Sequence, residues 1–274
     1  MKIWPTALTF LAAWMVFSIS ASAQQPYLIP AVYRTSGTYS NGTTSSSTDG
    51  YALAQLGGDN FLSATAGRLN IDASSWTYEQ SLLALSGTKN LYPFFLTVRL
   101  GLIGGDYSAK QYQYTYSDKI SVLSGTVGYN WELFTFRADY TNLNLRGYKN
   151  VVSRQASCKI EWIASESMSL SAAPLYSTLS SGRKLFGVGM RGSFALFPSL
   201  TLRCSGFKGQ RAYYFDPDIL VEFNQDDTQR YQAGLVAEYS IFPELRISCA
   251  YQATGFSGYT IRYATVGLIG TILL

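Results

Sequence analysis

Residues 229–241, QRYQAGLVAEYSI, place Tyr231, Ala233, Leu235, Ala237, Tyr239 and Ile241 on one side and Arg230, Gln232, Gly234, Glu238 and Ser240 on the other. A period of two is the spacing of a β-strand with unlike faces. Residues 184–196, KLFGVGMRGSFAL, repeat the pattern, with Phe186, Val188, Met190, Phe194 and Leu196 opposed to Gly187, Gly189, Arg191 and Ser193. Outward from these two segments, alternating stretches bounded by Gly, Pro, Asn, Asp and Ser run from Tyr27 to the C-terminus. Short turns are expected at 57–60, 88–90, 130–132, 165–167, 197–199 and 242–244, and longer loops at 40–49, 70–74, 105–118, 143–150, 178–183, 214–228 and 255–258. They delimit fourteen strands, twelve to sixteen being the tolerated range, and the first stretch, 27–39, reads either as a strand or as a tail or plug.

Composition says what such strands face. Charged residues make up 14% of the chain and aromatic residues 15%, with 21 tyrosines, whereas ordinary soluble domains carry about 25% charge. A strand surface poor in charge and rich in aromatics suits lipid. The net charge of +4 is too small to argue for nucleic acid. Cys158, Cys204 and Cys249 show no CxxC spacing and fall on apolar faces.

Histidine is absent. Ser-His hydrolysis, His-ligated metals and the commonest general base are thereby excluded, so no enzymatic activity and no cofactor are expected. Residues 1–23 read as a signal peptide, with Lys2, an apolar stretch from Ala7 to Phe17 and the small-residue pattern Ala21-Ser22-Ala23. Residues 24–274 then form one domain. No later stretch is long and apolar enough for a helical span.

An even strand number, with short turns at one end and longer loops at the other, resembles the outer-membrane porin-like barrel superfamily across nearly the whole expected mature length. The resemblance implies an all-β, transmembrane, antiparallel up-and-down barrel exported to a Gram-negative outer membrane. Its partners would be outer-membrane lipid and lipopolysaccharide, with another envelope protein as an alternative. No fatty-acid-transporter hatch, TonB-dependent plug domain or OmpA-like module is recognisable, and the chain ends in Leu274 where the superfamily customarily has an aromatic residue. Aromatics beside the short turns (Tyr129, Trp131, Phe134, Phe197, Tyr239 and Phe242) are expected to form one interfacial girdle.

If the apolar faces meet lipid, the other faces line a lumen. Alternation then points Arg99, Arg137, Lys159, Arg191, Arg203, Arg230, Arg246 and Arg262 inward, with Glu79, Asp139, Glu161 and Glu238. Unpaired charges are costly in a dry core, so they pair across strands or the lumen holds water. The reading that follows is a passive porin-like channel for small hydrophilic solutes, mildly anion-preferring. Its alternative is a scaffold barrel that anchors or houses a partner protein.

The loop at 214–228 brings Asp216, Asp218, Glu222, Asp226 and Asp227 without one basic residue. It reads as a solvated external loop, as a constriction facing the arginines, or as a weak Ca²⁺ site lacking EF-hand spacing. Tyr112, Tyr114 and Tyr116 alternate, as a strand extended above the membrane or as a surface on which sugars stack. The stretch 36–49 reads as a flexible Ser/Thr/Gly loop.

Overall fold

Alternation with tight turns at one end forces an antiparallel meander, and its closure leaves no edge unpaired. The computed structural model describes residues 26–56, 60–111, 114–218, 221–223 (backbone alone) and 226–274. The signal-peptide expectation, the Gly57-Gly58-Asp59 turn, Tyr112 and the side chain of Glu222 lie outside the described residues. The strands are β1 (Tyr27–Tyr39), β2 (Thr44–Gln55), β3 (Phe61–Asp72), β4 (Trp76–Leu91), β5 (Phe94–Ala109), β6 (Thr115–Trp131), β7 (Phe134–Arg146), β8 (Val151–Ser165), β9 (Met168–Leu179), β10 (Lys184–Phe197) and β11 (Leu200–Arg211). A short ribbon of β12 (Tyr214–Asp216) and β13 (Val221–Phe223) follows, then β14 (Gln229–Phe242), β15 (Leu245–Phe256), β16 (Thr260–Gly270) and the two-residue β17 (Ile272–Leu273). Leaving out the ribbon and β17, fourteen strands close into one antiparallel barrel through pairing of β1 with β16.

The first stretch is therefore a full strand: Tyr27–Tyr39 pairs with β2 on one side and with β16 and β17 on the other. The connections opposite the short turns differ from expectation. Tyr39 N donates to Thr43 O and Gly42, at φ 86°, takes the left-handed position of a tight hairpin. Leu179 and Gly182, at φ 84°, repeat the arrangement. The Ser/Thr/Gly stretch at 36–49 is thus strand on both sides of a tight turn, because small β-branched and hydroxyl residues pair well once a Gly closes the hairpin. Residues 105–118 are likewise mostly strand. The turn expected at 88–90 falls at Tyr92-Pro93, with Thr88, Lys89 and Asn90 inside β4. Among the described connections, the one from β11 to β14, which holds the β12–β13 ribbon, is the long one.

The outer surface carries large exposed apolar residues, among them Leu83, Leu123, Val127, Ile160, Met190, Leu235, Tyr251 and Val266. In water so large an apolar surface would be sticky, whereas transmembrane barrels turn such a band to lipid. Tyr129, Trp131, Phe134, Phe197, Tyr239 and Phe242 are all exposed near the short-turn end, where Tyr92 and Phe94 join them. The three cysteines are free and exposed.

Candidate functional site

Alternation settles which side chains share the interior. On β7, Thr135, Arg137, Asp139, Thr141, Leu143 and Leu145 fall on the lumen side, and on β8 Gln155, Ser157, Lys159 and Glu161 do, with Arg137 opposite Lys159 across the pair. Fourteen strands enclose more space than wall side chains alone can fill. Here the chain supplies further filling: residues 212–218 fold inward from the end of β11 and lie against the wall.

This segment is held in four ways. Phe215 is fully buried, and with Ala212 and Tyr213 it packs into an apolar cluster with Ile103, Ile120, Val122, Leu143, Leu145, Leu179 and Leu185. Gln155, itself buried, holds the backbone from both sides: its Nε2 donates to Tyr213 O at 2.9 Å and its Oε1 accepts from Phe215 N at 3.4 Å. Arg211 anchors the start of the segment, its guanidinium lying 4.2 Å from the Phe207 ring centroid and 4.5 Å from that of Tyr214. Such cation–aromatic contacts strengthen when desolvated. Gly187 makes room for Phe207, since a Cβ there would collide with the ring.

The fourth hold is charge. Asp218 Oδ1 accepts from Arg137 Nη2 at 2.6 Å, and its Oδ2 lies 3.2 Å from Lys159 Nζ and 2.5 Å from Arg191 Nη1. Asp216 Oδ2 takes Arg191 Nη2 at 2.6 Å. Burial alone would raise the Asp218 carboxyl, but Arg137, Lys159 and Arg191 outweigh it and hold the group well below the usual carboxylate range. Beneath the ion pairs, Arg99 donates to Thr126 Oγ1 at 2.6 Å, and the Thr126 hydroxyl donates to Asp139. Arg137 Nη2 also reaches Asp139, at 3.3 Å, and Lys159 lies 3.7 Å from Glu161. The space left between segment and wall here is only about 70 Å³.

A second cluster lies nearer the short turns. Glu238 accepts from Arg203 through Oε1 and faces Arg246 Nη1 at 3.5 Å through Oε2. Although Arg191 and Arg203 lie symmetrically about residue 197 in the sequence, they are not opposed, because Arg191 faces Ser205 and Arg203 faces Ser193. One turns to the inserted segment, the other to Glu238.

Three expected inward residues stand elsewhere. A bulge at Gln229–Tyr231 breaks the alternation of β14, so Gln229 and Gln232 both reach Arg211 while Arg230 is exposed beside them. On β16, Ile261, Tyr263 and Thr265 take the inner face, which puts Arg262 on the outer one. On β4, Trp76, Tyr78, Gln80 and Leu82 line the interior, so Glu79 points outward. Of the other loop carboxylates, Asp226 pairs at the rim with Lys149 at 2.6 Å and Arg183 at 3.1 Å, and Asp227 accepts from Ser257. No group of His, Cys, Asp and Glu able to hold a metal occurs among the described residues. Gln155, Arg211, Lys149 and Arg183 went unnoticed in the sequence. Arg211, last in β11 and just before an acidic loop, is the one whose position offered a signal.

The remaining interior is a cavity of about 720 Å³ on the opposite side, bounded by β1 to β7, β15 and β16, by Tyr213 of the inserted segment and by Asp226 and Asp227 at the rim. Eight tyrosines and Trp76 line it.

No family model and no curated protein matches the sequence. Among solved structures, the chain is similar to the translocator domain of the autotransporter NalP from Neisseria meningitidis, with 14% identity, 97% of this chain and 94% of that one covered, and a TM-score of 0.50. A deltaS2S3 mutant of the TodX monoaromatic hydrocarbon channel aligns over 94% and 92% of the two chains at 9% identity and a TM-score of 0.55. An outer membrane channel from Pseudomonas putida F1 aligns over 92% and 97% at 12% identity and a TM-score of 0.52. The class is thus an outer-membrane-type β-barrel. At these identities it is the fold that is shared.

Proposed function

We propose that the chain is a passive conduit for small hydrophilic solutes in the outer membrane, narrowed by its own inserted segment and without catalytic chemistry. The observation that carries this reading is the unfilled cavity of about 720 Å³ inside a closed fourteen-strand barrel. Outer-membrane placement is supported by the apolar outer band with exposed aromatics at the short-turn end, and by the likeness in fold to outer-membrane barrels. Lipid and lipopolysaccharide are the partners such a surface suits.

Selectivity follows from the ion pairs. Arg137, Lys159 and Arg191 are matched by Asp139, Glu161, Asp216 and Asp218, so that wall offers passing anions little net attraction. Arg203 and Arg246 share the single carboxylate of Glu238, and a mild anion preference is assigned to that trio. Planar-bilayer recording under a salt gradient tests both parts. A reversal potential slightly on the anion side is expected, growing when Glu238→Gln removes the shared carboxylate. A purified, folded barrel with no open conductance would end the channel reading. The alternative, a barrel housing a partner, has less to stand on because the chain's own segment already covers the charged wall.

A further inference from the structure

The large cavity has a definite chemistry. Trp76, Tyr107, Tyr116 and Tyr148, from β4, β5, β6 and the β7–β8 connection, form one ladder with successive ring centroids 5.7, 4.7 and 5.3 Å apart. Trp76–Tyr107 and Tyr107–Tyr116 are stacked and Tyr116–Tyr148 is tilted, so the two inner rings have both faces covered and offer a guest their edges and hydroxyls. An apolar aromatic guest would find few free faces and would strip water from those hydroxyls without replacing its hydrogen bonds, which is costly.

Charge narrows the choice further. The carboxylates at the cavity, Asp49, Asp118, Asp226 and Asp227, outnumber Arg68 and Lys149, so an anion is not held in this part of the lumen, and the mild anion preference rests on Arg203, Glu238 and Arg246 nearer the short turns. These carboxylates already accept bonds: Asp49 from Ser47, Asp118 from Tyr148 N, Asp226 from Lys149 and Arg183, and Asp227 from Ser257. Asp226 is answered by Lys149 and Arg183, and among the described residues the carboxylates gather into no group able to hold a metal ion, so a cation finds no coordinating cluster. What fits is a neutral solute with many hydroxyls and a compact ring, able to exchange hydrogen bonds with phenols, amides and satisfied carboxylates at once. The volume of about 720 Å³ lies in the range of small-ligand sites.

We infer that this tyrosine-rich cavity is a binding site for a neutral oligosaccharide of two or three rings. The inference deepens the channel reading and rests on it for how the sugar enters and leaves. Its test separates the two. The full-length barrel, kept in a detergent without a sugar head group such as an alkyl amine oxide, is titrated calorimetrically with maltotriose, cellotriose, trigalacturonate, tetraethylammonium and toluene. Saturable heat is expected from at least one neutral trisaccharide and from none of the other three. Tyr107→Phe and Tyr116→Phe keep the ladder and remove one hydroxyl each, so each should weaken sugar binding about fivefold, the worth of one neutral hydrogen bond. Heat-modifiable migration on a detergent gel verifies that both variants are folded. The inference is overturned if neither neutral trisaccharide binds, if trigalacturonate, toluene or tetraethylammonium binds, or if both variants bind the sugar unchanged. Bilayer recording is read separately: a closed barrel that binds sugar ends the channel reading alone, and an open channel that binds none ends this inference alone.

Discussion

The two sides of the lumen are built from the same strand pattern and are opposite in character. From β5 through β15 the inner wall carries Arg99, Arg137, Asp139, Lys159, Glu161, Arg191, Arg203, Glu238 and Arg246, and the inserted segment covers its middle, leaving a space of about 70 Å³. From β16 through β4 the inner wall is mostly tyrosine, threonine, serine and glutamine, with Trp76, Leu69, Ile71, Leu82 and Ile261 among them and Asp49 its charged residue at the cavity. The space before it, which reaches Tyr107 and Tyr116 at the long-loop ends of β5 and β6, is about 720 Å³. The difference teaches that a strand lines a lumen with charge where something answers the charge. On one wall a piece of chain rich in carboxylates does so. On the other, nothing is needed, and the room stays open.

The comparison breaks most decisively at Asp216 and Asp218. Replacing both with Asn leaves Arg137, Lys159 and Arg191 without their segment carboxylates, and losing one partner of a sequestered ion pair costs about 3 kcal/mol or more. The segment should leave the wall, single-channel conductance should rise severalfold, and selectivity should swing toward anions. Conductance that stays at the wild-type level would show that the charged wall does not depend on the segment.

Phe215→Ala comes next. It removes a fully buried ring and should loosen the segment by about 3 kcal/mol. Limited proteolysis within 212–228 should accelerate while heat-modifiable migration persists, because the strands keep their ladders.

Acid gives a smaller effect. A carboxylate held below its ordinary range stabilises the folded arrangement above the unfolded value of about 4, and that contribution is lost only as pH falls through the lowered folded value. Conductance should therefore be flat from pH 7 to about 4 and rise only in stronger acid. A rise already near pH 5 would contradict the assignment of Asp218 as the seat of the segment. The smallest effect belongs to the rim: Lys149→Ala breaks a solvent-exposed pair with Asp226, and conductance at neutral pH should stay unchanged.

Much of this was legible in the residues. Period-two alternation and Gly- or Pro-marked turns are local, so the strand count, the bounds of β1 and four of the short turns could be read directly. The inward placement of Arg137, Asp139, Lys159, Arg191, Arg203, Glu238 and Arg246 followed from the same parity. Parity fails wherever one residue is inserted or the frame is misjudged, which is why the bulge in β14 displaced Arg230 and why Arg262 and Glu79 lie outside. The acidic loop was visible as composition, yet composition left a solvated loop and a constriction both open, with Ca²⁺ binding only a weak third reading. Gln155 could not be chosen from sequence, because its role depends on the backbone of residues 58 and 60 positions away.

By itself the sequence determined a closed antiparallel barrel with an apolar outer face, since alternation, turn chemistry and scarce charge are properties of neighbours along the chain. Tertiary structure decided that residues 212–218 turn inward, that Asp216 and Asp218 answer three bases from β7, β8 and β10, and that the tyrosine wall is left free. Those outcomes rest on contacts between distant strands, whose energies exist only once the barrel has closed and brought the charges within reach of each other.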